Sequence, residues 1–212
     1  MAEGLRERKK RETRQRISDV ATGLFLAHGF DKVTVADVAR AADVSVNTVF
    51  NYFGTKEELF MDRRAEAEDV PSRVVRERGP GESVVAAFRR EFLAAIEAQD
   101  WRYGLNEGAD EFERVVAGSP SLTARMREME EQRRERLART LAEETDAEPE
   151  DLRPRLVAAQ ILEATGLLAR QAVRLRMAGE SWGRIAPWLR EQAQAAFDLL
   201  EKGIGDYGAG SP

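Results

Sequence analysis

The chain has 212 residues, of which 42% are hydrophobic and 33% are charged, enough apolar content for one large packed domain or two modest ones. It contains no cysteine, which excludes disulfides and thiolate chemistry and favours a cytoplasmic location. No apolar run is long enough to cross a bilayer, and the first residues are highly charged, so the sequence predicts neither a membrane partner nor a signal peptide.

The net charge of −5 is unevenly distributed along the chain. Residues 1–56 carry ten Lys and Arg against seven Asp and Glu, whereas the remaining residues carry 23 against 31. Because nucleic-acid phosphates attract basic surfaces and repel acidic ones, the N-terminal end is the part of the chain expected to approach a nucleic acid.

Almost every segment has the apolar spacing of a helix, and strand-and-turn alternation is absent from the sequence. The pattern therefore predicts an all-α fold. Glycines and prolines are expected to separate the helices. In chain order, helices are predicted at residues 6–28, as two short helices within 34–53, and at 55–78, 83–99, 121–144, 148–178 and 181–202, with a less regular segment at 101–117 and a frayed tail at 206–212.

The most informative stretch is VTVADVARAADVSVNTVFNYFGTKEELF, residues 33–60. Thr34 and Thr55 each begin a capping box, with an acidic residue three positions later, and Ser45 begins the helix between them. The apolar residues between these caps keep helical spacing. Two short helices joined by a tight turn form a helix-turn-helix, whose second helix fits the major groove of DNA.

The candidate recognition helix has the sequence SVNTVFNYF. Its four apolar residues share one face by spacing, and at least Val49 and Phe53 are expected to pack on the two preceding helices. Short polar side chains can donate to and accept from base edges or phosphates. The residues left outside this apolar set are Ser45, Asn47, Thr48, Asn51 and Tyr52.

Basic residues on either side of the motif could hold phosphates. Lys56 lies in the first turn of the next helix, where backbone N–H groups already favour anions. The basic arm formed by Lys9, Lys10, Arg11 and Arg14 could follow the DNA backbone or enter a minor groove. An ordinary solvated helix end is the alternative for this arm.

Residues 34–59 resemble the N-terminal signature of the tetracycline-repressor (TetR) family of bacterial transcription regulators. The resemblance covers about a quarter of the chain and is too long to be accidental. The positions that match the family pattern are Thr34, Val38-Ala39, Ala42, Val44-Ser45, Asn47-Thr48, Phe50, Tyr52-Phe53, Thr55-Lys56 and Leu59.

The resemblance implies an all-α architecture with an N-terminal three-helix helix-turn-helix domain and a C-terminal antiparallel helical bundle for ligand binding and dimerisation. The corresponding boundaries are a DNA-binding domain at 1–54, a ligand-binding and dimerisation domain at 55–205, and a flexible tail at 206–212. It also implies a homodimer that binds double-stranded operator DNA and a small-molecule effector, apolar or amphipathic in character. Neither a cofactor nor a metal is expected.

The resemblance also assigns roles within the motif. Val46, Asn47 and Thr48 would approach bases, and phosphates would be held by Ser45, Asn51, Tyr52 and Lys56. Thr34 and Ala36 belong to the same surface, although Ala36 has no polar group to offer a base. Two residues depart from the family pattern: Asp43 replaces a turn glycine, and Phe50 replaces a tyrosine. Asp tolerates a left-handed backbone better than most residues, and Phe50 favours apolar contact with a thymine methyl.

Two further sets of residues are candidates in the C-terminal part. Aromatic and apolar side chains could line the effector pocket or simply pack in the core. Gln160, Glu163 and Arg170 are polar residues on an apolar helical face, so they could orient a ligand or pair across a dimer. The pocket candidates are Phe88, Phe92, Trp101, Tyr103, Phe112, Met126, Gln160, Glu163 and Leu167, and the dimer candidates are Leu168, Arg170, Trp188, Phe197 and Leu200.

These patterns favour a ligand-responsive transcriptional repressor that binds palindromic DNA as a dimer. The alternative is a constitutive or architectural DNA-binding regulator that does not respond to a small molecule. An enzyme is disfavoured, because the sequence has no metal-ligand cluster, nucleophile–base pair, phosphate loop or dinucleotide fingerprint.

Overall fold

The computed structural model describes residues 4–208, except for the side chain of Leu5. The predicted all-α fold is confirmed, since the described residues form helices and turns and contain no strand. The helices α1 to α10 are Leu5–His28, Val35–Ala41, Val46–Tyr52, Lys56–Ala65, Val70–Arg76, Val84–Ala98, Ala109–Ala117, Pro120–Glu144, Arg153–Met177 and Trp182–Ile204, and a 3₁₀ turn spans Trp101–Tyr103. None of the described helices combines the length and apolar character that a bilayer span needs.

The chain forms two compact units. The N-terminal unit contains residues up to 66 together with 111–127, and the C-terminal unit contains 67–110 together with 128 onward. In the N-terminal unit, α1 packs against α2 and α4, and α2 packs against α3. An aromatic cluster fills this core: the ring of Phe25 lies 5.1 Å from that of Phe30 and 5.6 Å from that of Phe60.

The C-terminal unit is built around α6, which packs against α5, α9 and α10. Its buried face repeats every three to four residues, as a core-facing helix requires. The Ser83 side chain accepts a hydrogen bond from the backbone N–H of Ala86 and so caps its start. The buried apolar residues of α6 and α10 include Val85, Phe88, Phe92, Ile96, Ile185, Leu189, Ala193 and Phe197.

The single helix predicted at 55–78 is wrong. The structure has α4 ending at Ala65, a turn, and a separate α5 that begins at Val70. Pro71 explains the break, because proline has no N–H to donate and its ring collides with the carbonyl four residues earlier. In the second position of a new helix, where no intrahelical donor is needed, Pro71 is tolerated.

The start predicted at residue 148 for the next-to-last helix is five residues early, because α9 begins at Arg153. Pro154 again sets the limit, since it fits the first turn of a helix but not its interior. Asp151 fixes the chain just before the helix by accepting a hydrogen bond from the Arg153 backbone N–H at 2.8 Å. Within the predicted tail, the Tyr207 hydroxyl lies 3.2 Å from Thr145 Oγ1; residues 209–212 lie outside the described part.

Candidate nucleic-acid interface

The recognition helix α3 presents an unusual exposed face. Ser45 caps it by accepting a hydrogen bond from the Thr48 N–H at 3.0 Å. Val49 and Phe53 are buried, as predicted, but Val46 and Phe50 are 39% and 49% exposed. Val46 and Phe50, which helical spacing groups with the two buried residues, are not covered by the rest of the chain. Val46 and Phe50 instead share the outer face with Asn47 and Asn51, which are also exposed.

The outer face of α3 combines two apolar side chains with two amides. These residues occupy positions i, i+1, i+4 and i+5, which lie together on one side of a helix. An amide can donate to and accept from an adenine edge, and an apolar group can contact a thymine methyl. The arrangement is suited to reading bases in a major groove.

The turn between α2 and α3 is fixed by Asp43. Its φ of +52° is left-handed, which confirms the expectation that Asp takes the conformation of a turn glycine. Asp43 N–H donates to the Arg40 carbonyl at 3.3 Å, and Val44 N–H donates to the Ala39 carbonyl at 3.0 Å. These two bonds form a Schellman motif, which ends α2 and satisfies its last carbonyls.

Helix α2 begins with a complete capping box. The Thr34 hydroxyl accepts from the Asp37 N–H at 3.1 Å, and the Asp37 carboxylate accepts from the Thr34 N–H at 3.0 Å. The hydrogen bonds from the Thr34 side chain and backbone lower the pKa of the Asp37 carboxyl, and the charge of Arg40 adds to this effect. Ala36 is exposed on the first turn of α2.

Lys56 makes contacts within the N-terminal unit. Its ammonium donates to the Phe30 carbonyl at 2.6 Å and lies 4.2 Å above the centre of the Phe30 ring. An ammonium has three N–H donors, so this contact leaves others available for a phosphate. Lys56 therefore also ties the start of α4 to the segment that follows α1.

Arg14 links three helices of the same unit. Its guanidinium donates to the Asp62 carboxylate of α4, with Nε 3.0 Å from Oδ1, and to the Tyr52 carbonyl at the end of α3 at 2.9 Å. It also lies 4.6 Å above the Phe53 ring. Asp62 is only 5% exposed in its side chain. The predicted arm residues Lys10, Arg11 and Arg14 are all exposed on α1, and Arg14 also makes the contacts described above.

The predicted pocket residues occupy three different places. In the N-terminal unit, the Phe112 ring stacks on Phe60 with centres 4.8 Å apart, and Met126 is half-buried. In the core of the C-terminal unit, the Phe92 ring meets the edge of Tyr103 at 5.5 Å. Phe88 and Trp101 belong to this second core. Gln160, Glu163 and Leu167 are exposed on the outer face of α9.

Tyr103 carries a buried hydroxyl for which the described residues supply no hydrogen-bond partner. Burial, together with the carboxylate of Glu91, raises the pKa of this phenol above its ordinary value of 10.0. A buried hydroxyl that makes no hydrogen bond is energetically costly, so this position calls for a water or a ligand group.

Two surface grooves lie in the N-terminal unit. One of about 750 Å³ lies beside the C-terminal end of α1, with His28, Phe30, Lys32 and Arg114 among its lining residues. The other, of about 520 Å³, runs along α1 near Gln15. None of the nine predicted pocket residues lines either groove.

The predicted dimer residues differ in exposure. Leu168 and Phe197 are buried in the core of their own chain. Trp188 and Leu200 are half-buried against that core. Arg170 is exposed on α9, and the assignment of this set to a dimer interface stays a prediction.

The capped helix pair, its left-handed turn and the mixed amide and apolar face of α3 define a helix-turn-helix DNA-binding protein. The sequence profile of the bacterial regulatory proteins of the tetR family matches residues 17–62. The transcriptional regulator TcmR of Streptomyces glaucescens is 32% identical over 169 residues, which cover 77% of this chain and 74% of TcmR. The chain therefore belongs to the tetR family of transcriptional regulators.

Solved structures of other proteins share the fold. GusR of Salmonella enterica aligns with a TM-score of 0.53 at 18% identity, over 88% of this chain and 96% of GusR. FadR of Bacillus subtilis, solved in complex with stearoyl-CoA, aligns with a TM-score of 0.52 at 18% identity, over 90% of this chain and 98% of FadR.

Proposed function

We propose that the protein is a ligand-responsive repressor that binds a palindromic operator as a dimer and is released by a small molecule. The observation that carries the proposal is the outer face of α3, where Val46 and Phe50 are exposed beside Asn47 and Asn51. Exposure of large apolar side chains to water is unfavourable, and a binding partner that covers them removes this cost. The bases of a major groove supply such a partner.

Each residue of the interface has a proposed role. Val46 and Phe50 contact thymine methyls, while Asn47 and Thr48 reach base edges. Because the Thr48 hydroxyl lies 2.8 Å from Ser45 Oγ, these two groups orient each other before DNA binds. Phosphates are held by Ser45, Asn51, Tyr52 and Lys56, with Thr34 and Ala36 at the edge of the interface and Lys10 and Arg11 along the backbone.

We propose that Arg14 acts differently from the rest of the arm. Its contacts with Asp62, the Tyr52 carbonyl and the Phe53 ring hold α3 in position against α1 and α4. Arg14 therefore stabilises the position of the recognition helix from the side that packs on α1 and α4.

A second copy of the chain is the proposed occupant of the outer face of α9 and α10. Leu156, Leu167 and Met177 on α9 and Leu199 on α10 are large apolar residues that are exposed in the single chain. A two-fold dimer places two recognition helices on one operator, with half-sites about 34–36 Å apart or a multiple of that distance. The exposed Gln160, Glu163 and Arg170 belong to this same face and not to the effector pocket.

The effector is proposed to bind within the C-terminal unit near Tyr103. The support is the unpaired buried hydroxyl of Tyr103, together with the Phe92 ring against it and the neighbouring Phe88 and Trp101. Such a site suits an amphipathic molecule with one polar group on a largely apolar body. FadR, which shares the fold, binds an acyl-CoA. A regulator of this kind acts on DNA in the cytoplasm.

Selection of binding sites from a random DNA library, followed by footprinting, tests the proposal. The expected result is a palindromic site whose protection is lost when an effector, found by thermal-shift screening of amphipathic compounds, is added. Recovery of no palindromic site contradicts operator binding. Recovery of a site that no thermally stabilising compound releases supports a constitutive regulator instead.

A further inference from the structure

The outer face of α9 carries a regular exposed stripe. Exposed residues recur at spacings of three and four, and the opposite face of the helix, including Val157, Ile161 and Ala172, is buried in the core of the C-terminal unit. The stripe mixes apolar, amide and charged side chains, and its members are Leu156, Gln160, Glu163, Leu167, Arg170, Arg174 and Met177.

Four of the seven residues in the stripe are placed symmetrically about a point between Gly166 and Leu167. Glu163 and Arg170 lie at equal distances on either side of this centre, and so do the exposed apolar residues Leu156 and Met177. When two identical helices pack antiparallel about a two-fold axis, each residue faces the residue at the same distance beyond the axis. An axis through this centre brings Glu163 opposite the Arg170 position of a second copy, twice per dimer.

Within one chain, Glu163 and Arg170 already pair with each other. Arg170 Nη2 donates to Glu163 Oε1 at 2.7 Å, although the residues are seven positions apart and separated by about 10.5 Å of helix rise. The guanidinium passes close to Gly166, where a Cβ would lie 3.0 Å from Arg170 Nη1. The two side chains are 67% and 43% exposed, so water screens the pair and either group can change partner at little cost.

The geometry of helix packing favours this pair as the contact that sets the register. Glu163 and Arg170 each lie 3.5 residues from the centre, about 5 Å along the axis. Helices that cross at either of the two common angles remain within side-chain reach at that distance, with axes about 8–10 Å apart. Leu156 and Met177 lie about 16 Å from the centre, so they meet only when the helices cross at a small angle.

We propose that Glu163 and Arg170 exchange their contact within the chain for reciprocal ion pairs across an antiparallel α9–α9 contact centred at Gly166–Leu167, so that they set its register and its preference for a second copy of this chain. The proposal rests on the dimer of the proposed function and adds the residues that specify it. Glu163 and Arg170 meet across the dimer in one register only. A slipped dimer or a different partner leaves these charges unpaired or beside like charges, so it binds more weakly.

Charge reversal in the full-length protein tests the exchange. Glu163→Arg alone places two arginines opposite each other, and Arg170→Glu alone places two glutamates opposite each other, so each variant should self-associate about tenfold more weakly or worse. Mixing the two variants restores both cross-chain pairs and no pair within a chain. Native mass spectrometry of the mixture should therefore show heterodimers well above the statistical half.

The double variant Glu163→Arg/Arg170→Glu provides the complementary measurement. It restores its own homodimer but opposes wild type, so a mixture of the two should separate into homodimers. The matched control is Glu131→Arg on α8, which breaks a pair with Arg134 whose side-chain exposures, 67% and 42%, match those of the α9 pair. This variant should self-associate like wild type, and circular dichroism should show that all variants are folded.

The outcomes separate this proposal from the one it rests on. A wild-type protein that stays monomeric at micromolar concentration overturns both the dimer and the exchange. A wild-type dimer whose single variants associate normally, or whose mixture gives only statistical heterodimers, overturns the exchange alone.

Discussion

Phe50 in α3 and Phe53, the residue that follows α3, are three positions apart but differ in burial. Phe53 is 2% exposed and Phe50 is 49% exposed. Burying a phenylalanine side chain stabilises the fold by about 1.5–3 kcal/mol. Because Phe50 is half exposed, it contributes only part of this stabilisation within its own chain. Under the proposed function, contact with DNA covers the exposed Phe50 ring, so Phe50 and Phe53 are a matched pair of residues for separating DNA binding from folding.

Phe50→Ala should change the free energy of unfolding by less than about 0.5 kcal/mol, as for other surface substitutions. It should weaken binding to the selected operator by about tenfold, through loss of apolar contact with thymine methyls. Phe53→Ala should cost about 3–5 kcal/mol of stability because it leaves a core cavity. Urea unfolding and fluorescence anisotropy with labelled DNA measure the two effects, and equal loss of stability in both variants would contradict the assignment.

Tyr103 should make the stability of the fold depend on pH in the alkaline range. Its phenol has a raised pKa in the folded chain because of burial and the Glu91 carboxylate. Below pH 10 the phenol is neutral whether the chain is folded or not. Above pH 10 it ionises in the unfolded chain first, so folding stability falls as pH rises, by about 1.4 kcal/mol per pH unit.

Tyr103→Phe should remove this alkaline loss. The variant should match or exceed wild type in stability near neutral pH, since it deletes a buried hydroxyl without a partner, and its advantage should grow above pH 10. Urea unfolding at a series of pH values up to 11 measures the difference between the two proteins. A difference that is constant with pH would show that the folded chain lets Tyr103 ionise normally.

The contact of α1 with α3 and α4 depends on Arg14 and Asp62. The carboxylate is 5% exposed, whereas the guanidinium is 45% exposed and also donates to the Tyr52 carbonyl. Removing the arginine leaves a buried charge without its partner, which is costly, although water at the exposed guanidinium reduces the loss. The pair should therefore contribute more than a surface ion pair does.

Arg14→Met keeps an apolar stem over Phe53 and removes the charge. We expect it to lower the free energy of unfolding by about 1–3 kcal/mol. Arg40→Met breaks the exposed pair between Arg40 and Asp37 and should change the stability little, because water screens exposed ion pairs. Urea unfolding compares the two variants, and similar small losses would mean that Arg14 is free to serve DNA instead.

The sequence predicted local features better than tertiary ones. The caps at Thr34, Ser45 and Thr55 and the left-handed turn at Asp43 depend on neighbouring residues, and each is present in the structure. The break before α5 was also readable, because Pro71 cannot lie inside a continuous helix. The local sequence was sufficient to predict each of these features, including the break at Pro71 that the predicted helix at 55–78 overlooked.

Exposure was harder to predict because it depends on which elements pack together. Spacing grouped Phe50 with Phe53, yet the short α3 turns only one side toward α1 and α2. Similarly, Glu163 and Leu167 share a helical face with apolar residues, which suggested a pocket. That face of α9 is left uncovered within the chain, and periodicity alone does not distinguish an internal partner from an external one.

The uneven distribution of charge along the chain favours DNA binding at the N-terminal end. The net charge is −5, while residues 1–56 have an excess of Lys and Arg over Asp and Glu. An overall acidic protein is repelled by phosphate unless its basic residues lie at the contact. Binding should therefore depend on a few basic residues, among them Lys10 and Arg11, which are exposed on α1.

The double variant Lys10→Ala/Arg11→Ala should weaken binding to every DNA sequence alike. Each phosphate contact contributes about 0.9 to the slope of log affinity against log salt concentration. Loss of two contacts in each half of a dimer should therefore lower the slope by about three to four, measured by anisotropy between about 50 and 200 mM salt. Asn47→Ala should leave the slope unchanged and alter the preferred sequence, because its proposed partner is a base edge and not a phosphate. An unchanged slope in the double variant would mean that this end of α1 is a solvated helix terminus, and Lys56 would then be the basic residue that remains in the proposed interface.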